Sequence, residues 1–359
     1  MPIEAAWSTA SGLRSPLANA RILRLAFGTA LSLWISQAVG WSISYIAPVL
    51  TMFLLALPMP RPKLRFIFVV VMALAVSVYG TFIFLPLLLH QKAVGFLLLS
   101  LALFHSFYFT ARGGKAVIGT LVTIGLALTV AVGTVSVDAL LAVAQGLMFG
   151  AAVGASVAVL SHVLIRDPAP DPSAELQSAA QPEDAVTIDN ATAAHNALRS
   201  LAIVAPIILW FLLSGNSAAN MAVMIKVAGM GQEVSKKNTR DAAKSLIIST
   251  LAGGVAAVIA WQVLSIWPSL TLYVLLIGLA GLFFGQRIFE GGGLRHDAAT
   301  WSYAFLTLIV VLAPAVLDTN SGSSADARFY DRLLMFMWAT LYGVGAVYVF
   351  DAFWPRNKQ

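Results

Sequence analysis

Residues 66–86 read FIFVVVMALAVSVYGTFIFLP, an apolar stretch without a charged residue that directly follows the basic turn Arg61-Pro-Lys63-Leu-Arg65. At a rise of about 1.5 Å per residue, a helix of this length crosses the roughly 30 Å hydrocarbon core of a bilayer. Basic residues beside such a stretch mark its cytoplasmic end. The stretch therefore predicts a transmembrane helix that starts on the cytoplasmic side.

The composition of the whole chain agrees with this interpretation. The 359 residues are 59% hydrophobic and 11% charged, with a mean hydropathy of +0.85. Soluble domains carry about 25% charged residues, so this chain has too few to cover a water-facing surface. The absence of cysteine excludes disulfides, thiol nucleophiles, iron–sulfur clusters and cysteine-based zinc sites. The sequence predicts a polytopic protein in contact with lipid.

Apolar stretches bounded by charged residues, proline or glycine predict about twelve membrane-spanning helices. Those of the first half lie near residues 22–40, 43–59, 66–86, 93–110, 116–135 and 139–164. Those of the second half lie near 200–214, 218–235, 245–265, 270–286, 299–317 and 333–354. The predicted fold class is an all-α polytopic membrane protein.

The positions of lysine and arginine predict the orientation, because cytoplasmic loops keep these residues and translocated loops exclude them. With the N-terminus inside, only Lys92, Arg328 and Arg332 of the 22 basic residues fall in outer loops, and Lys226 falls within a span. We therefore expect both termini in the cytoplasm.

Four segments follow from these boundaries. Residues 1–20 are predicted as a cytoplasmic tail, 21–165 as a first six-helix membrane segment, 166–195 as a flexible cytoplasmic linker and 196–355 as a second six-helix membrane segment. The linker is rich in proline and acidic residues and lacks aromatic residues, so it cannot bury enough apolar area to become ordered.

The two membrane segments are predicted to be an internal repeat. When the sequence is aligned with a shifted copy of itself, one shift pairs Arg24 with Arg199, Arg61 with Lys236 and Arg65 with Arg240. A slightly different shift pairs two glycine doublets. An even number of spans gives both halves the same orientation, so a pseudo-twofold axis should run along the membrane normal. Such an interface favours a transporter or channel, with the substrate path between the halves.

Small residues at helical spacing predict close helix packing, because contacts in lipid depend on backbone approach. The longest such series is Gly28, Ser32, Ser36 and Gly40, and shorter ones include Gly281 with Gly285. We expect these series to pack within one chain, with contact between copies in a homo-oligomer as the alternative.

Lys226 is the clearest candidate for a functional residue. A charge inside a bilayer is expensive, by about 2.5–3.5 kcal/mol, and Lys226 is predicted near the midplane of its span. The offset that pairs the halves places neutral Thr51 at the equivalent position, and Asn220 precedes Lys226 on the same span. Lys226, Thr51 and Asn220 are therefore the predicted substrate-binding residues, with a structural or snorkelling lysine as the alternative.

Glu233 lies on the same predicted helix face as Lys226, nearer the cytoplasm. It is the candidate proton-coupling residue, and an interfacial carboxylate that balances Lys236 and Lys237 is the alternative. The intervening Gly229 and Gly231 predict a kink or an unwound turn that lines a cavity.

His105 completes the candidate substrate-binding set. It lies in an aromatic run with Phe104, Phe107, Tyr108 and Phe109. An imidazole that titrates near neutrality could stack on an aromatic substrate or serve proton coupling. A structural histidine with satisfied hydrogen bonds is the alternative.

Several chemistries lack their residues in this sequence. It contains no H-E-x-x-H pair, no metal-ligand cluster, no G-x-S-x-G elbow and no Walker A loop. We therefore expect no enzyme activity, no cofactor and no metal, and a gradient as the energy source. Because the basic residues are scattered between apolar spans, no nucleic acid partner is expected.

The run Arg21-Ile-Leu-Arg24-Leu-Ala-Phe-Gly-Thr-Ala, the proline-marked Tyr45-Ile-Ala-Pro48-Val-Leu-Thr51 and the duplication resemble the fusaric acid resistance superfamily. This superfamily includes bacterial aromatic acid exporters and is related to the plant aluminium-activated malate transporters. The resemblance implies a bacterial inner-membrane efflux component for organic acids, with a periplasmic adaptor and an outer-membrane channel as partners. The chain lacks the large cytoplasmic domains of longer members.

These observations together predict a proton-motive-force-driven exporter of aromatic or other weak organic acid anions. Lys226 would attract the carboxylate in a cavity between the halves. A passive organic-anion channel is the alternative, because the same lysine and the same resemblance suit it equally well.

Overall fold

A computed structural model describes residues 15–41, 43–133, 136–168, 189–214, 221–234, 237–290, 293–318 and 325–354. These residues form twelve α-helices and one short β-hairpin. The helices are α1 Pro16–Val39, α2 Ile46–Leu55, α3 Arg65–His90, α4 Lys92–Ala111, α5 Ala116–Gly133, α6 Val137–Leu164, α7 Asn190–Ser214, α8 Met221–Val234, α9 Thr239–Ile266, α10 Leu270–Ile288, α11 Ala298–Asp318 and α12 Ala325–Phe353.

The protein is an all-α, multi-pass membrane protein. Within the described ranges, nine helices are long and apolar enough to cross a membrane, namely α1, α3, α4, α6, α7, α9, α10, α11 and α12. The helix α2 and the first part of α5 are shorter and apolar. Each apolar stretch predicted from the sequence coincides with one helix.

Several helices begin earlier than predicted. The helix α1 begins at Pro16, inside the predicted tail, because the Ser15 hydroxyl accepts a hydrogen bond from the Ala18 amide and proline suits the first helical turn. The helix α7 begins at Asn190, inside the predicted linker. Residues 169–188 of that linker lie outside the described residues. Hydropathy detects only the apolar part of a helix, so polar end turns escaped the prediction.

Helix α8 lies at the centre of the bundle. All its residues from Ala222 to Val234 are buried, whereas α3, α4 and α12 expose large apolar side chains on the outside of the bundle. Ile83, Leu97 and Trp338 are about two thirds or more exposed. Such faces suit contact with lipid chains.

The two halves meet along several helix pairs. The helix α1 packs on α10, α4 on α7, α5 on α8, and α2 on α11. Gly281 on α10 allows the closest approach, because a Cβ atom there would lie 2.6 Å from Cα of Ala26. Gly40 does not take part in such packing. It ends α1 with a φ of 75°, a left-handed conformation that favours glycine.

One element was absent from the prediction. Strands β1 Phe289–Glu290 and β2 Gly293–Leu294 pair antiparallel, with Phe289 opposite Leu294. The hairpin joins α10 to α11 at the end of the bundle where α8 ends and α9 begins. It forms part of the wall of the cavity described below.

Candidate functional site

Helix α8 carries the candidate site without a break. Residues 221–234 are helical throughout, so the helix is not unwound at Gly229 and Gly231, which was one of the two predicted alternatives. A Cβ atom at Gly229 would lie 2.6 Å from the ring of Tyr303, and one at Gly231 would lie 2.7 Å from the ring of Phe107. The two glycines therefore allow aromatic rings to pack against the helix backbone.

Lys226 is fully buried near the middle of α8. Its Nζ donates hydrogen bonds to Oγ1 of Thr307 at 2.8 Å and to Oγ of Ser249 at 3.3 Å, and lies 5.9 Å from the Tyr303 ring centroid. Within the described residues, no carboxylate lies within 4.0 Å of this nitrogen. The site therefore holds a lysine with neutral partners, a favourable place for an anion.

Glu233 lies two helical turns from Lys226 and is also buried. Its Oε1 accepts hydrogen bonds from Nζ of Lys237 at 3.2 Å and from the Ser245 hydroxyl, and Ser245 in turn contacts Thr300. The other oxygen, Oε2, is buried and has no hydrogen-bond partner among the described residues.

A cavity of 230 Å³ lies between the two halves beside this cluster. The first half contributes apolar side chains from α2, the turn after it and α5, including Phe53, Leu57 and Leu121. The second half contributes Gln232, Glu233, Lys237, Ser302 and Tyr303. An apolar wall with a few polar groups at one end suits a small amphiphilic molecule.

A second cavity of 510 Å³ lies on the other side of the Glu233 cluster. Its polar lining includes Lys237, Asp241, His296 and Asp297. Burial acts to raise the pKa of Asp297, but hydrogen bonds from Nε1 of Trp301 at 2.7 Å and from Arg295 at 3.3 Å outweigh it. The pKa of Asp297 is therefore below its usual range, and the carboxylate is ionised at neutral pH.

The structure brings only part of the predicted site together. Lys226 and Glu233 lie on one buried helix, as described above. The Thr51 hydroxyl instead donates to the carbonyl oxygen of Ala47 at 2.8 Å and contacts that of Gly154 at 3.4 Å, within the first half. Thr51 thus serves helix packing between α2 and α6.

The two remaining predicted residues do not contribute to this site. His105 is exposed on the outside of α4, with Nδ1 2.8 Å from the carbonyl oxygen of Leu101 and its ring edge-on to Phe104. Asn220 lies outside the described residues.

Sequence reasoning missed most partners of Lys226 and Glu233. Ser249, Thr307 and Tyr303 lie on α9 and α11, and Phe53 of α2 packs edge-on against Tyr303 at 6.2 Å between ring centroids. Hydroxyl and aromatic residues are common in membrane helices, so only their position in the fold distinguishes them. A weak signal was present for Phe53, which lies two residues after Thr51.

Each half also contains an ion pair between its first helix and the end of its sixth. Arg24 on α1 pairs with Asp167, just after α6. Arg199 on α7 pairs with Asp351 on α12 at 2.5 Å. Arg199 also donates to the carbonyl oxygens of Val234 at 2.9 Å and Lys237 at 2.7 Å, so it anchors the end of α8 beside Glu233.

Residues 21–161 match the family described as protein of unknown function (DUF2955). No curated protein and no solved structure matches the chain. The matched range covers α1 to most of α6, beginning at the Arg21 run quoted above, and does not reach Lys226. The description of that family assigns no activity.

The described residues contain no group of three or more His, Asp or Glu side chains that could hold a metal ion. What they offer is a buried ammonium with hydroxyl partners, a buried ion pair and an apolar cavity between the halves.

Proposed function

We propose that the protein is a transporter of the bacterial inner membrane that exports aromatic or other weak organic acid anions. The observation that carries this proposal is the buried Lys226, whose hydrogen-bond partners among the described residues are the hydroxyls of Ser249 and Thr307. An unpaired ammonium in a membrane bundle is expensive, and an anionic substrate would compensate it.

An internal repeat supports transport between the two halves. The pairs α1 with α2, α3 with α5, and α4 with α5 pack in the first half, and the equivalent pairs α7 with α8, α9 with α11, and α10 with α11 pack in the second. Contacts between the halves also come in equivalent pairs. The helix α1 packs on α10, and their counterparts in the other half, α7 and α4, also pack on each other. The Arg24–Asp167 and Arg199–Asp351 pairs occupy equivalent places. Two parallel repeats of six helices, with twelve spans in all, account for this pattern.

The distribution of basic residues supports an orientation. The cavity between the halves lies where α2, α4 and α8 end and where α5 and α11 begin, at the end that carries the basic turns. The excess of Lys and Arg assigns this end to the cytoplasm. Both termini then lie in the cytoplasm, and the cavity is placed to receive an anion from inside the cell.

The lining of the cavity supports the proposed class of substrate. A lining of Phe53, Leu57 and Leu121 suits a flat apolar body, and the nearby ammonium groups suit a carboxylate. The resemblance to aromatic acid exporters points the same way and suggests a periplasmic adaptor and an outer-membrane channel as partners.

The proton-motive force is the proposed energy source. The membrane potential, positive outside, favours outward movement of an anion. Glu233 is the proposed proton-binding group, because its Oε2 has no hydrogen-bond partner in the described part of the chain while Oε1 is held by Lys237 and Ser245. Protonation of Glu233 would free Lys237 from its counter-ion.

Uptake of labelled 4-hydroxybenzoate into inside-out vesicles tests the proposal. Vesicles that contain the protein should accumulate the acid above equilibrium when a proton gradient is imposed, and an uncoupler should abolish the accumulation. Equilibration without accumulation would instead indicate a passive channel. Absence of flux for a panel of aromatic and aliphatic acids would contradict organic-anion transport.

A further inference from the structure

The two lysines of the candidate site differ in their access to the cavities. Lys226 is fully buried and lines neither the 230 Å³ cavity nor the 510 Å³ cavity. The Lys237 side chain is 21% exposed and lines both of them. An anion that arrives from the predicted cytoplasmic side therefore meets the ammonium of Lys237 first.

The ring of Tyr303 lies between the apolar cavity and Lys226. Tyr303 lines that cavity, and its ring centroid is 5.9 Å from Nζ of Lys226. The ring is supported on one side by Phe53 of the first half and on another by the backbone at Gly229. Tyr303 thus lines the cavity with one part of its side chain and lies in cation–π range of the buried ammonium.

We propose that the anion path has two cationic binding sites in series, Lys237 and then Lys226, with the Tyr303 ring as the barrier between them. The proposal rests on the proposed function and extends it to a second binding site. At the first site a carboxylate would take the place of Glu233 as the partner of Lys237. At the second it would join the hydroxyls of Ser249 and Thr307.

The geometry assigns different tasks to the two sites. Lys237 already has three partners, Glu233, Ser245 and Thr300, so a bound carboxylate there exchanges with an existing ion pair and is held weakly. Lys226 has no carboxylate within 4.0 Å among the described residues, although the charge of Glu233 acts on it from farther away, so a carboxylate there forms a new ion pair without displacing one. Access to this second site requires the Tyr303 ring to move.

The absence of cysteine from the chain allows a direct test. One single-cysteine variant, Ser302→Cys, places a thiol in the cavity wall, and another, Ser249→Cys, places one beside Lys226. Both are reacted with a negatively charged methanethiosulfonate, and the modification rates are measured by mass spectrometry. We expect Ser249→Cys to react at least about tenfold more slowly, because a buried thiol is inert.

Removal of the barrier should change only the inner thiol. Adding Tyr303→Ala should raise the rate at Ser249→Cys by about tenfold or more and leave the rate at Ser302→Cys within about twofold, since only access to the buried site is altered. Tyr303→Phe is the matched control and should leave both rates unchanged. Tyr303→Leu provides a second variant that retains more of the packing if the alanine variant does not fold.

Two results would overturn the inference. One is equal reactivity of the two thiols in the presence of the native Tyr303, a comparison that requires no change at Tyr303. The other is an unchanged rate at Ser249→Cys in a folded Tyr303→Ala or Tyr303→Leu variant. Labelling does not depend on transport, so a protein that transports but shows either result contradicts this inference alone. A protein that shows the expected labelling but no flux contradicts the proposed function alone.

Discussion

The ammonium nitrogen of Lys226 lies 2.8 Å from the hydroxyl oxygen of Thr307, and neither side chain is exposed. A charge is thus held inside the bundle by neutral groups contributed by α9 and α11. Such an arrangement leaves the charge available to a ligand, whereas a salt bridge would have neutralised it.

Thr307→Val should destabilise the protein more than the same change at another buried threonine. The variant keeps the shape but leaves Lys226 with one hydroxyl partner, at a cost of about 1–3 kcal/mol. Thr250→Val is the matched control, because its partner Thr340 also bonds the carbonyl oxygen of Phe336 and stays satisfied. Thermal unfolding in detergent measures both, and equal melting temperatures would contradict the role assigned to Thr307.

Glu233→Gln should remove uncoupler-sensitive accumulation of 4-hydroxybenzoate while downhill flux continues. The amide keeps the size of the side chain but cannot bind and release a proton at neutral pH. Glu290→Gln, at an exposed residue of the hairpin, is the control and should behave like the unmodified protein. Full accumulation by Glu233→Gln would assign proton coupling to another group.

Arg199 and Asp351 should be energetically coupled. The pair joins α7 to α12, and Arg199 also holds the end of α8. A double-mutant cycle of Arg199→Met and Asp351→Asn, measured by unfolding, should give a coupling energy of about 0.5–3 kcal/mol. Arg24→Met should perturb substrate affinity less than Arg199→Met, because no contact of Arg24 with α8 is seen in the described residues. Strict additivity of Arg199→Met and Asp351→Asn in the double-mutant cycle would argue against a structural role for this ion pair.

Gly281→Val should disrupt the contact between α1 and α10. Even a Cβ atom at this position would lie 2.6 Å from Cα of Ala26, so the two backbones would have to separate. Gly345→Val, on the exposed side of α12 with no atom within 4 Å of its Cβ position, is the control. Loss of folded protein on size-exclusion chromatography is expected for the first variant alone. Comparable yields of the two would show that the seam tolerates expansion.

The sequence predicted the helices well because nearly every residue of a helix that faces lipid must be apolar. Such a helix is therefore visible as a continuous apolar stretch. Every apolar stretch became a helix, but the ends differed where a local hydrogen bond decided them, as at Ser15 and Pro16. Gly229 and Gly231 show a different limit. The same glycines suit a kink and a close aromatic contact, and only the positions of Tyr303 and Phe107 distinguish the two.

The candidate site was predictable only where one residue broke the local pattern. Lys226 and Glu233 stand out as charges within an apolar span. Ser249, Thr307 and Tyr303 do not, because their importance comes from the packing of α9 and α11 on α8. Thr51 was included through the repeat, but its hydroxyl serves the contact with Gly154.

Binding and transport of 4-hydroxybenzoate by Lys226→Met test the central claim most directly. The substitution removes the charge and keeps an unbranched side chain of similar length, and Lys63→Met, at an exposed loop residue, is the control. If the Lys226 ammonium compensates the substrate carboxylate, the apparent affinity in inside-out vesicles should fall by about tenfold or more, the equivalent of about 1.4 kcal/mol. Transport by Lys226→Met with unchanged affinity and rate would contradict the account.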